Sequence, residues 1–304
     1  MLCILYVIAV GTCLGFIGLL VERALPETWA RRWLWCAVIA LSMIIPPLYR
    51  ARHTSSVVEL LQGPAAQSHA THAATAASTP AWLTQVEALN PIINQIWIIS
   101  STGLLLWGLV GVLWVAGVVH VSRRRRGIRG GPTVVDGVPV VVTDSMGPAT
   151  VGLWRSRVLV PRWVLALPGI QRRYVLCHEE EHRRAHDARL LFVASLSLLL
   201  LPWNLALWWQ LRRLRLAVEM DCDRRVVASL GDANAYGALL LKVAQAASRG
   251  PRLQPALLGG VGMLEHRLTV LLAPTPLRHL QRFLIPALAL ALLFLVLSMP
   301  HPVP

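Results

Sequence analysis

The chain has 304 residues, of which 55% are hydrophobic and only 14% charged, with a mean hydropathy of +0.56 and a formal charge of +14. This balance excludes an ordinary soluble globular protein, and it points to a membrane protein with a polar portion of domain size. The positive charge would suit nucleic acid, but the arginines cluster beside apolar runs without a helix-turn-helix or interleaved aromatics, so an anionic inner leaflet is the simpler partner and no direct nucleic-acid binding is expected.

Four apolar runs are long enough to cross a bilayer. Residues 1–21 carry no charge before Glu22 and lack the basic start and cleavage site of a secretory signal. Gly11 and Gly15 stand there in a GxxxG spacing suited to close helix packing. Residues 33–49 make a second run that ends at Pro46-Pro47. The segment 50–87, rich in Ala, Ser, Thr, Gln and His, reads as a flexible outer loop. The third run lies within 88–122, which has no Asp, Glu, Lys or Arg, and the fourth is 283–299. Arg23, Arg31 and Arg32 follow the first run, and Arg123 to Arg126 with Arg129 follow the third. The positive-inside rule then puts the N-terminus and the 50–87 loop outside and the polar portion inside. Three units follow: three spans over 1–122, an inner domain over 123–282 and a last span over 283–304.

Residues 134–143 and 150–161 read as β-rich segments around Asp144-Ser145-Met146-Gly147-Pro148, a small antiparallel hairpin. Leu167-Pro168-Gly169 opens a helix, and no Gly or Pro follows from Ile170 until Pro202, which predicts one unbroken helix over 170–189.

That helix carries the pattern HExxH in His178-Glu179-Glu180-Glu181-His182. Residues four apart share a helix face, so both imidazoles can grip one Zn2+ at about 2.0–2.1 Å. Glu179 is turned roughly 100° away and can serve as general base on a water that the ion activates. His186, a further turn along, cannot converge on the same ion from a straight helix and is placed behind the ligands or at the surface. Glu219 is the better third ligand, giving a His2Glu site with an open fourth position. Asp223, four residues on, can hold a ligand imidazole by its other nitrogen. Cys177 and Cys222 flank these residues without CxxC spacing and read as small buried side chains. The run 190–209 is apolar and broken by Pro202-Trp203-Asn204. A single crossing would strand Glu219 on the far side of the bilayer, so a re-entrant or interfacial helical hairpin is predicted, with a core helix of the inner domain as the alternative. Helices over 211–230 and 234–247, a loop over 249–262 and a short amphipathic helix over 263–272 complete the domain.

HExxH, Asp187 and Glu219-Met220-Asp221-Cys222-Asp223 together resemble the membrane zinc peptidases of the BlaR/MecR antirepressor type, which are gluzincins. Residues 139–161 and Leu264-Glu265-His266-Arg267-Leu268 extend the resemblance over roughly the whole chain. It implies a mostly α membrane protein of about four transmembrane helices, with an inserted cytosolic zinc peptidase domain, in a bacterial cytoplasmic membrane. It implies Asp187 behind the ligands, and a substrate peptide added as a strand along Ala149–Arg157. The implied partner is a cytosolic protein, a winged-helix repressor or the peptidase itself. The drug-sensing members carry a penicillin-binding domain after the last span. This chain stops at Pro304, so β-lactam sensing is not carried over. An inactive transmembrane scaffold, which the intact Glu179 argues against, and a quality-control protease are the alternatives. No oxyanion donor stands out; His186, Tyr236 and His266 are the candidates. The sequence assigns no oligomeric state.

Overall fold

The computed structural model describes residues 2–24, 31–62, 90–124, 133–143, 148–248, 261–272 and 279–298. Helices α1 (Leu2–Ala24), α2 (Arg31–Gln62) and α3 (Asn90–Arg124) come first. Within them Ile4–Ala24, Arg31–Leu48 and Asn90–Gly117 are long and apolar enough to cross a membrane. Pro46 and Pro47 do not end α2, which continues to Gln62. The expected loop over 50–87 is therefore helical at its start, and the rest of it, from 63, lies outside the described residues. A proline inside an apolar helix frees one or two backbone groups, whereas leaving the helix would free many more.

The expected antiparallel hairpin is corrected to a four-stranded mixed sheet. Strands β1 (Thr133–Val135), β2 (Val138–Thr143), β3 (Ala149–Val151) and β4 (Arg157–Pro161) lie in the order β1-β2-β4-β3. Each β-rich segment is itself a hairpin or part of one, and β2 pairs with β4 in parallel, Val140 opposite Val158. Asp136 and Gly137 both have positive φ, the turn that matches the twist of a two-residue hairpin. Gly152, after β3, has φ +103°, and a Cβ there would meet the Arg155 carbonyl oxygen at 2.8 Å. Strand β3 ends the sheet on one side.

After α4 (Arg162–Leu165), Pro168 caps α5 (Gly169–Arg184), and Arg172 ties that helix to the β1–β2 turn through Asp136 at 2.8 Å. The expected helix over 170–189 is broken. His186 takes a left-handed conformation, φ 56°, and α6 (Asp187–Ser195) starts in a new direction. A short α7 (Ser197–Leu200) leads to a turn at Pro202–Asn204, where the Asn204 side chain caps α8 (Leu205–Leu230) by accepting from the amides of Ala206 and Leu207. The predicted turn at Pro202 is present, and α6, α7 and α8 form a helical hairpin. α9 (Ala233–Ser248), α10 (Val261–Leu272) and α11 (His279–Ser298) follow; α11 holds the expected fourth run except Met299, which lies outside the described residues.

Two cores share α8. In the first, Tyr6, Val10 and Leu14 of α1 and Trp35, Val38 and Ile39 of α2 surround Leu207, Leu211, Leu214 and Val218. Gly11 and Gly15 face α8, where an added Cβ would meet Ala206 at 3.3 Å and Trp209 at 2.4 Å. Gln210 donates to the Gly11 carbonyl at 2.7 Å and to Ser42 at 3.0 Å, so a buried amide is satisfied across three helices. In the second, Val140, Val158 and Val160 of the sheet meet Tyr174, Val175 and Leu176 of α5, Cys222 and Val226 of α8, and Tyr236 and Leu239 of α9.

Candidate metal centre

The two imidazoles of α5 converge at one edge. The Nε2 atoms of His178 and His182 lie 3.2 Å apart. A carboxylate oxygen of Glu219, from α8, is 3.6 Å from Nε2 of His178, and its other oxygen is 3.7 Å from Nε2 of His182. Two donors on a tetrahedral ion at about 2.0–2.1 Å sit roughly 3.3–3.4 Å apart, so this triangle has the dimensions of three ligands around one small cation.

The far sides of the rings fix their tautomers. His182 Nδ1 is 2.8 Å from Asp187 Oδ2. Asp187 reaches this position only because the helix breaks at His186. Tyr236 donates its single hydroxyl proton to Asp223 at 2.7 Å, so its oxygen accepts from His178 Nδ1 at 2.9 Å. Asp223 itself lies 3.6 Å from that nitrogen, too far for a hydrogen bond, so Tyr236 relays its effect. With both Nδ1 atoms carrying hydrogen, both Nε2 lone pairs face one another across 3.2 Å, an arrangement that calls for a proton or a cation between them.

Cys222 offers a second donor set with the same imidazoles. Ligand atoms of His178, His182 and Cys222 lie within 4.8 Å of one another. However, the sulfur faces the wrong nitrogen, 3.3 Å from His178 Nδ1, and it donates to the His178 carbonyl oxygen at 3.3 Å. The convergence of Nε2 atoms favours Glu219 over the thiol.

Arg267 of α10 grips Asp223 with two donors at 2.7 and 2.8 Å and reaches Glu219 at 2.9 Å. Burial alone would raise the Glu219 carboxyl, but Arg267 and the two imidazoles hold it well below the usual carboxylate range. Glu179 is buried, and that burial raises its carboxyl despite both imidazoles. The Thr150 hydroxyl of β3 stands 2.6 Å from the Glu179 carbonyl oxygen and 3.1 Å from its Oε2, which places the edge strand against the helix at this residue. Glu181 is drawn off to Arg225 at 2.9 Å and Glu180 to Arg183 at 2.6 Å, so neither turns to the centre.

Three expected oxyanion candidates fare differently. Tyr236 is engaged behind His178, His186 is the left-handed link between helices, and His266 is surrounded by the charges of Arg213, Glu22 and Arg31 rather than by the ligands. Tyr236 as a bridge, Thr150 and Arg267 were not assigned these roles from the sequence. Arg267 stood in a segment singled out there, but nothing in the local pattern tied it to Glu219.

Burial opposes charge on His182, yet the bond to Asp187 pushes its pKa up to about 10. A metal must displace that proton. His178 is held above its ordinary value as well, so apparent zinc affinity of the metal-free protein is expected to climb at least about tenfold per pH unit from pH 6.5 to 9, with proton release on binding. Chelator competition across this range checks it, and a flat profile would refute the proton displacement.

Two imidazoles from one helix turn, a carboxylate from a second helix and a buried glutamate beside them are the parts of a metal-dependent peptidase centre. The family described as BlaR1 peptidase M56 matches residues 1–271, and the chain belongs to that peptidase family. No curated protein matches the chain.

Proposed function

We propose that the chain is a membrane-embedded zinc metallopeptidase that cuts a peptide bond in a cytosolic protein, a winged-helix transcriptional repressor or the peptidase itself, in a signal-response pathway. The observation that carries this reading is the convergence of His178, His182 and Glu219 beside the buried Glu179.

His178, His182 and Glu219 would hold one zinc ion, which when bound acts as a Lewis acid toward the scissile carbonyl and the attacking water. Asp187 keeps the His182 ring turned with Nε2 inward, and Tyr236 does the same for His178. Glu179 takes a proton from the attacking water and delivers it to the leaving amine; its raised pKa brings the carboxylate nearer the value a base needs at neutral pH. The peptide would lie along β3, adding a strand at the sheet edge over 149–151, where Thr150 adjoins Glu179; the expected edge over 149–157 is shorter, because the chain turns at Gly152 and Arg157 already belongs to the interior strand β4. Four spans, with the N-terminus outside and the centre at the cytosolic face of a bacterial cytoplasmic membrane, complete the reading. The juxtamembrane arginines would hold this face against anionic lipid.

Purified full-length protein in detergent or vesicles is expected to cut such a repressor. A chelator should stop the reaction and added zinc should restore it. Undiminished cleavage after complete chelation would discard the metal mechanism.

A further inference from the structure

Arg32 lies in the first turn of α2, at the start of the candidate span Arg31–Leu48. In the sequence it counts as one juxtamembrane charge among several. In the fold its guanidinium is largely covered and donates to Asp187 Oδ1 at 2.9 Å. The other oxygen of Asp187 is the one that meets His182 Nδ1 at 2.8 Å. Asp187 is 2% exposed, so its charge needs a partner. Arg225 is 3.7 Å from it, beyond hydrogen-bond reach, which leaves Arg32 as the guanidinium that hydrogen-bonds Asp187 among the described residues. The Arg32 amide and Nε also approach Asp221, at 3.5 and 3.9 Å, but Asp221 has a closer guanidinium in Arg224 at 3.2 Å. The dependence on Arg32 therefore falls on Asp187.

We propose that Arg32 is a positioning residue that sets the His182 ring through Asp187, and thereby ties the metal centre to the placement of the membrane helix α2. This rests on the zinc-site reading above. A charge-assisted bond to Oδ1 holds the carboxylate in place and aims Oδ2 at Nδ1. That bond fixes the tautomer and the ring angle of a ligand. Because the donor sits at the head of a helix long enough to cross the bilayer, sliding or tilting that helix moves the carboxylate and turns the imidazole.

The test is zinc affinity of the full-length apoprotein by chelator competition, together with the visible spectrum of the cobalt(II) form. Arg32→Gln should weaken zinc by about 10–100-fold, the range for partners behind ligands. Arg32→Lys should recover most of the affinity, with a cobalt spectrum still shifted because an ammonium on a differently shaped side chain meets Oδ1 at another angle than the single guanidinium donor. Adding Asp187→Asn to Arg32→Gln should cost little more than Asp187→Asn alone. Wild-type affinity in a folded Arg32→Gln protein, or losses that multiply in the double variant, would overturn the relay. If Arg32→Gln does not fold, Arg32→Lys decides: an unchanged cobalt spectrum overturns the relay and a shifted one supports it. His182→Ala is the control. Undiminished zinc binding there overturns the zinc site itself, whereas a loss there with none in Arg32→Gln removes only the role of Arg32.

Discussion

Glu179→Gln is expected to lower peptide cleavage by about 10²–10⁴-fold while zinc remains bound. The substitution keeps the shape of the side chain and its contact with Thr150, so the packing between β3 and α5 stays. What it removes is the ability to take a proton. Glu179 lies outside the triangle of His178, His182 and Glu219, so the donor set is untouched. Its burial, which raises the carboxyl, also means that no bulk water substitutes for it. Cleavage rates of both proteins on the same substrate, with metal content measured in parallel, check the expectation. A variant that cuts within a few-fold of the wild type would remove Glu179 as the base.

Glu219→Gln should weaken zinc by more than about 100-fold, because partners behind the ligands alone are worth 10–100-fold and the proposed function makes Glu219 a ligand. The loss compounds at Arg267, whose 2.9 Å contact with the carboxylate would face a neutral amide. Cys222→Ser should change zinc affinity only a few-fold, since the sulfur faces Nδ1 of His178 and a backbone oxygen rather than the Nε2 atoms. The pair separates the two donor sets. A large loss in Cys222→Ser with little in Glu219→Gln would make the thiol the third ligand.

The parts of this site that show in the sequence are those set by spacing along one element. His178 and His182 share a face because a helix repeats every 3.6 residues, and Pro202 with Asn204 announces the turn that returns the chain. The break at His186 was invisible, because a left-handed histidine has no local signature without Gly or Asn. It exists where Asp187 gains both His182 and Arg32, and the second of these is 155 residues away. The Tyr236 bridge was likewise hidden, since Asp223 could have reached His178 directly by spacing alone. The parallel β2–β4 pairing was missed for a related reason: each β-rich segment looked complete as one arm of a hairpin, and the alternation along a strand does not say which partner lies beside it. Buried arginines are hard to read in a chain with so many at its membrane borders. Arg32 and Arg267 differ from their neighbours only in what the fold brings to them.

Helix α8 runs for 26 residues, about 39 Å, and its two halves belong to different cores. Its front half is clasped by α1 and α2, and its rear half delivers Glu219 and Asp223 to the imidazoles. No slack tether separates anchor from blade. Excising residues 123–282 would strip Leu207, Leu211 and Leu214 of Val10, Leu14 and Trp35, leaving a greasy flank in water. A displacement of either of the first two helices would bear on the same rod that carries Glu219, so under the proposed function the bilayer would be a working component of the machine and not merely its mooring.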